Sequence, residues 1–499
     1  WTVAIGQLAV IVLTKTRGTM LAVVVVAFIM LCVVALKQRG MLRYLAYATI
    51  AVGVLSAVTI FLFREDLRYS KIYVLQRIAT TSLADQTLHT RLGAWKSGIQ
   101  AFRQRPLFGW GQENFSLGFD AHYNPELFAS GVSETHFDRA HNIIVQTLVD
   151  GGIVGTALFL ISYSYLIFWC LKKTDFLHNE KIIVTGIIIA NIIQLQFSFD
   201  TAISLLLVYL IAVILSAHES SELIDYTINR KESVAILVGL LLVTPFIFKL
   251  VIEPLQQNNA LLNAVVYAAD YDKVKAVPEF EIALNMPTLY REEARVEYIK
   301  NVTRILDEHK TPPNVVLPFI KRADELATQN MNAHPLDSYY PFSLGILYRT
   351  GSYIDPHYLE RAAQLFDQAL KLSPNRQMYY FAKADIYNVQ KKYDLSLVEY
   401  EKALTAAPRV PQAQWYVAVT LMALGRTNEA VSFFVPLAER RYFPASVEEQ
   451  NLMAHTLDTM GRYDLSVYYY DGIAENQPKN PVVWAQFATI LAKVEHFGD

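Results

Sequence analysis

The sequence predicts an all-α protein in which a polytopic helical membrane region is followed by an α-solenoid of repeated helix pairs. Three observations carry that expectation. Hydrophobic residues make up 53% of the 499, yet every apolar run long enough to cross a bilayer ends by Ile252. After that point the chain is charged, aromatic and amphipathic with a helical period. Within the second half, Pro374, Pro408, Pro444 and Pro478 recur at intervals of 34, 36 and 34 residues, which marks a stacked helical repeat.

A helix of about 20 apolar residues crosses the hydrocarbon core. Six stretches approach that length, at 19–36, 42–63, 153–171, 182–199, 201–217 and 233–252, and residues 3–13 read as the tail of a seventh. Lys and Arg in short loops stay on the cytoplasmic side. Lys37, Arg39 and Arg43 mark one such connection, Lys172, Lys173 and Lys181 a second, and Arg230 and Lys231 a third. All three alternate with the spans, so a large loop at 64–140, Asp200 and everything after Ile252 are expected outside. The expected organisation is therefore a transmembrane domain at 1–252, a helical connector at 253–334 with room for degenerate repeats around Pro287, and regular repeats at 335–499. Trp1 opens inside an apolar stretch and the chain closes one helix into a further repeat, after Ala492, so it reads as a fragment at both ends.

Each of the four prolines closes an amphipathic helix: ERAAQLFDQALKLSP, DLSLVEYEKALTAAP, NEAVSFFVPLAERRYFP and DLSVYYYDGIAENQP. Ala369, Ala403 and Ala438 fall where neighbouring helices must approach. The partner helices, MYYFAKADIYNVQKKY and AQWYVAVTLMALGR, place aromatic and small residues on one stripe. One such pair cannot bury its apolar face alone; stacking does it. The period is that of the tetratricopeptide repeat. Tyr468, Tyr469 and Tyr470 are read as repeat packing in preference to a sugar platform.

A net charge of −2 gives no global reason to expect nucleic acid. Cys32 and Cys170 both lie in apolar runs, which leaves neither a disulfide framework nor a cysteine zinc site. Asp270, Tyr271 and Asp272 have the carboxylate spacing of some metal-dependent glycosyltransferases, but they fall in a helical soluble stretch and read as a solvated turn. No metal and no cofactor are expected.

The most specific pattern is His141, Asn142, nine residues, Gly152, two residues, Gly155, within HNIIVQTLVDGGIVG. Upstream stand RLGAWKSGIQAFRQRPLFGWGQENF and, at the edge of the first span, TKTRG. Together these resemble the O-antigen ligase and polymerase family of bacterial membrane glycosyltransferases, with Lys15 and Thr16 departing from its usual small residue and serine. The resemblance implies that Arg17 and Arg91 bind the diphosphate of an undecaprenyl-type lipid carrier and that His141 is catalytic. Arg139, Asn142 and Trp95 are further candidates at the same motifs, and Gly152 and Gly155 are structural. It also implies metal-independent transfer of an oligo- or polysaccharide, with inversion, on the outer face of the bacterial cytoplasmic (inner) membrane. A lipid A core sugar, a growing glycan and a protein side chain all remain open as acceptor.

Physical chemistry supports these assignments independently. A departing diphosphate is stabilised by permanently charged, bidentate guanidinium. Between Arg68 and Arg105 the loop carries seven Lys/Arg against Asp85 alone, and between Glu113 and Asp138 it carries five acids and no base. That polarity fits a basic diphosphate pocket beside a more acidic, sugar-accepting mouth. A histidine at a helix amino terminus has its cationic form disfavoured by the dipole, which suits a general base. Gly151 and Gly152 are expected to break the helix, and Gly155 to permit close packing. Arg17 has a plain alternative as a snorkelling anchor. Asn191, Gln194 and Ser198 share one helical face, either lining a cavity or bonding between helices. The repeats suggest a protein partner. A catalytically idle membrane scaffold that displays the repeats for envelope assembly is the alternative function, and it has no need of His141.

Overall fold

A computed structural model describes residues 17–70, 76, 86–130, 136–172, 176–219, 230–270, 272–286, 288 and 291–497. Arg17 opens the first described helix, and its side chain lies outside what is described, as do Pro287 and Tyr271. Among the described residues the regular structure is helical throughout. The chain divides into two compact units, Trp1–His122 with Ser133–Ile236, and Tyr123–Val132 with Leu237–Asp499.

The first unit contains α1 (Arg17–Lys37), α2 (Met41–Leu62), α3 (Gln86–Gln104), α4 (Phe115–Ala121), α5 (Ile143–Lys172), α6 (His178–Leu195) and α7 (Ala202–Glu219). Four helical runs among the described residues are long and apolar enough to cross a membrane: Gly18–Lys37, Met41–Leu62, Ile143–Lys172 and Lys231–Asp270. They mark a membrane protein. Large apolar side chains such as Leu55, Phe61 and Leu241 stay exposed on these helices, as lipid-facing surfaces require. Small residues let α1 approach α6, since a Cβ on Gly186 would lie 2.9 Å from Met30 Sδ.

Of two expected spans, the stretch read as 182–199 lies earlier, as a helix over His178–Leu195, and that read as 201–217 is helical over Ala202–Glu219. Between them, carbonyls of residues 196, 197 and 200 accept from side chains elsewhere in the unit, as described below. Ser198 therefore does not share a helical face with Asn191. Asn191 Oδ1 accepts from the Tyr163 hydroxyl at 2.7 Å, the interhelical bond rather than the cavity lining.

In the second unit, α8 (Arg230–Ile247) carries Pro245 and runs through a π-helical turn, Phe248–Ile252, into α9 (Glu253–Asp270). The wider turn accommodates the N–H that proline lacks. Helices α10 (Val277–Asn285), α11 (Glu292–Asp307) and α12 (Pro313–Ala333) share a core with α13 (Tyr339–Thr350) and α14 (Tyr358–Leu372). The pairs then continue as α15 (Gln377–Val389), α16 (Tyr393–Ala406), α17 (Pro411–Ala423), α18 (Thr427–Glu439), α19 (Val447–Thr459), α20 (Tyr463–Asn476) and α21 (Pro481–Phe497).

Ala369, Ala403 and Ala438 are all buried where helices meet. Trp415 is fully buried against Phe434, with its indole N–H on Glu449 Oε1 at 3.0 Å. Tyr469 and Tyr470 are buried in the same core, as packing predicts. The Asp272 carboxylate accepts from the N–H groups of Val274 and Lys275, an Asx turn. A short segment also packs on the repeats. Gln377 Nε2 donates to Pro125 O at 3.0 Å, the Arg376 guanidinium lies over the Tyr123 ring and Phe128 meets Phe381 edge-on.

Candidate functional site

The site is built around a break in α5. At Gly152 the backbone turns to φ 62 and ψ −158, which leaves the carbonyls of Val149 and Asp150 and the N–H groups of Ile153 and Val154 without helical partners. The Pro-Leu-Phe-Gly-Trp-Gly segment supplies them all. Trp110 N donates to Val149 O at 2.7 Å and Gly111 N to Asp150 O at 2.9 Å. In return Ile153 N donates to Pro106 O at 2.8 Å and Val154 N to Leu107 O at 3.2 Å. Backbone lies against backbone here, so a Cβ on Gly109 would strike the Val149 and Asp150 carbonyls, and one on Gly152 would strike Leu107 and Phe108. The two motifs read separately in the sequence are thus one structure. Gly155 behaves differently from expectation: a Cβ there would meet only Thr147 O at 3.9 Å, because the position faces a cavity and not a neighbouring helix.

The amino-terminal end of the same helix fixes His141. Asn142 is the cap, its Oδ1 accepting from Ile144 N at 3.0 Å and Val145 N at 3.1 Å. His141 precedes the cap in the left-handed region, with φ 50. That conformation costs a non-glycine residue about 1 kcal/mol or more, and persists where the surroundings over-determine it. They do so here. Trp95 Nε1 on α3 donates to Ala140 O at 2.7 Å, while Ala140 N donates to Gln146 Oε1 at 2.8 Å. Gln146 is itself oriented by Asp150, to whose Oδ2 its amide donates at 2.9 Å. Ala140, the residue before His141, is therefore held at both its C=O and its N–H.

What His141 faces is the non-helical segment after α6. Its ring meets Phe199 edge-on at 5.4 Å between centroids, and Phe137 at 6.4 Å. Arg139 lies over the other side of the site with its guanidinium 5.0 Å from the Phe199 ring centre. It donates to Asp200 O at 3.3 Å and pairs with Glu113 at 2.7 Å and Asp200 at 3.7 Å. Arg91 on α3 donates to Phe197 O at 3.2 Å, and Asn142 Nδ2 to Gln196 O at 3.4 Å. The carbonyls of Phe197 and Asp200, beyond the end of α6, thus take guanidinium donors, and that of Gln196 an amide. A Cβ on Gly18 would come within 2.9 Å of Phe197 Cβ, so the residue after Arg17 reaches the same segment.

Arg91, Arg139, His141, Asn142 and the start of α1 thus converge on residues 196–200, and Trp95 acts one step behind. Their charges differ in availability. Arg139 is neutralised by two carboxylates, whereas among the described residues Arg91 makes no ion pair. A guanidinium with five donors and one carbonyl partner retains anion-binding capacity. Two other histidines in the unit are engaged elsewhere: His122 bonds Gln104 at 2.9 Å, with burial holding its pKa below the ordinary value, and His136 lies 3.9 Å from Asp120.

Sequence reading missed Gln146, Asp150, Glu113 and the role of residues 196–200. A signal for the first two existed: polar and ionisable residues four apart in an otherwise apolar helix point to function. Among the described residues there is no group of three His, Cys, Asp or Glu positioned to hold a metal ion.

Residues 2–160 match the O-antigen ligase family. No curated protein matches the chain. Similar solved structures include a thermophilic TPR protein from Thermus thermophilus, at 16% identity and TM-score 0.27, covering 47% of this chain and 99% of that one. PilW, a widely conserved type IV pilus biogenesis factor, is 18% identical with TM-score 0.33, covering 47% and 98%. Pseudomonas aeruginosa pilF is 14% identical with TM-score 0.34, covering 48% and 98%.

Proposed function

Residues 2–160 form an O-antigen ligase domain, and from that premise we propose that the protein transfers an oligo- or polysaccharide from an undecaprenyl-diphosphate-type carrier to an acceptor on the outer face of the cytoplasmic membrane. The observation that carries this reading is the meeting, on one short segment, of a backbone-clamped His141 and an Arg91 that makes no ion pair among the described residues.

In the reaction, Arg91 and Arg17 hold the carrier diphosphate. The acceptor oxygen or nitrogen attacks the anomeric carbon of the donor sugar, and the bond from that carbon to the phosphate oxygen breaks with its electron pair leaving on the diphosphate. His141 takes the acceptor proton as the new glycosidic bond forms. One displacement inverts the anomeric configuration. Guanidinium stabilises the charge growing on the leaving oxygen, so the chemistry proceeds without a metal. The repeats of the second unit present stacked helix pairs, a surface suited to a protein partner.

The test is to incubate the purified full chain with a lipid-diphosphate glycan, with and without chelator, and identify what becomes glycosylated. Chelator-resistant transfer that depends on His141 supports the reading. Chelator-sensitive transfer removes the metal-free mechanism. Normal surface glycan in a His141→Ala strain with normal protein abundance points instead to a non-catalytic scaffold.

A further inference from the structure

Behind His141, the first unit holds a cavity of about 440 Å³ that none of the assignments above uses. Its polar end is formed by Glu113, Gln146, Asp150 and Asp200, and its far end by Phe159, Leu205, Val208 and Tyr209. Three carboxylates face one guanidinium, Arg139, which already pairs with Glu113 and Asp200. Asp150 is the odd one out. It is 4% exposed, its Oδ2 accepts from Gln146, and among the described residues its Oδ1 has no hydrogen-bond partner. A buried acceptor left unmade costs roughly 1 to 3 kcal/mol, more when charged, so such an atom in a cavity wall asks for a donor.

We propose that this cavity is a binding site for a head group rich in hydrogen-bond donors, hydroxyl or ammonium, carried on an apolar stem, and that Asp150 Oδ1 receives its donor. Anionic heads are excluded by the carboxylate excess. The apolar end, lined by Phe159, Leu205, Val208 and Tyr209, takes the stem. Because Gln146 bonds both Asp150 and the Ala140 N–H, Asp150 is joined by two hydrogen bonds through Gln146 to the backbone that precedes the base. Resting on the transfer reading, the site takes the acceptor and makes Asp150 a specificity-determining residue that rejects phosphorylated acceptors.

The full chain in lipid nanodiscs is probed by binding of tritiated hexyl β-glucoside, with hexylamine and hexyl phosphate as competitors and empty discs as background. Saturable binding displaced by hexyl glucoside or hexylamine, and not by hexyl phosphate, is expected. Whichever of those two competes better identifies the head as hydroxyl or ammonium. Asp150→Asn keeps the Gln146 bond through its carbonyl oxygen but turns an N–H toward the ligand, and is expected to weaken binding roughly tenfold or more. Gly155→Leu removes no hydrogen bond and fills the cavity, and is expected to abolish saturable binding. Equal competition by hexyl phosphate, wild-type affinity in both variants, or no saturable binding to the wild type overturns the proposal. Transfer by the wild type separates the two readings: if no donor lipid supports transfer by the wild type while Asp150-dependent binding persists, the transfer reading falls alone. Transfer that continues while glucoside binding ignores Asp150 removes the cavity assignment alone.

Discussion

Gly152→Ala is the substitution from which most can be learned, because its cost follows from backbone geometry. The residue sits at φ 62 and ψ −158, a region open essentially to glycine, which costs another residue about 1 to 3 kcal/mol. The added Cβ would also strike Leu107 and Phe108, which displaces the segment that satisfies the helix break. Four backbone bonds lie there, from Trp110, Gly111, Ile153 and Val154. At roughly 0.5 to 1.5 kcal/mol each they represent about 2 to 6 kcal/mol. The combined loss is about 3 to 9 kcal/mol, at the severe end for a single substitution. The assay pairs glycan transfer with amide hydrogen exchange across residues 106–111 in nanodiscs. Transfer is expected to fall at least a hundredfold, with exchange accelerated at Trp110 and Gly111. Gly155→Ala is the control, since its Cβ enters open space and alanine favours helix by about 1 kcal/mol. If the two alanine variants behave alike, the reasoning from the break is wrong.

Trp95→Phe removes the indole bond to Ala140 O and leaves an aromatic ring, so transfer is expected to drop about fivefold for a bond worth about 1 kcal/mol, with carrier binding unchanged in a lipid-diphosphate pull-down. Arg91→Ala is expected to lose carrier-lipid binding, whereas Arg139→Met, which breaks the pairs to Glu113 and Asp200, is expected to lower thermal stability while retaining it; the same pull-down with a melting curve separates them. In the repeats, Trp415→Ala empties a fully buried site and is expected to cost about 3 to 5 kcal/mol, read as earlier trypsin cleavage within α17–α19 on heating, with transfer measured below that temperature unaffected.

The helical fold was legible because both halves announce themselves by period: unbroken apolar runs before Ile252, and proline-punctuated amphipathic pairs after it. Ala369, Ala403 and Ala438 were readable as contact points because only small residues suit that position. The break at Gly151 and Gly152 was also readable, from glycine's backbone freedom. What filled it was not, since pairing of residues 106–111 with the kink is a long-range backbone contact that no local pattern encodes. The same holds for residues 196–200, whose hydropathy continues the α6 run and of which Gln196, Phe197 and Asp200 have carbonyls bonded by Asn142, Arg91 and Arg139. Gly155 was misjudged because a glycine beside a cavity and a glycine beside a helix look alike in sequence. Arg139 and Arg91 were equally cationic on paper; their ion pairs tell them apart.

The most direct measurement is chemical rescue of His141→Ala. With carrier-lipid binding at the wild-type level, the variant is expected to lose transfer by two to four orders of magnitude, the usual range for a general base, and to regain part of it when imidazole is added. Wild-type transfer by His141→Ala, or a loss that follows lost carrier binding and ignores imidazole, contradicts the assignment of His141 as the base.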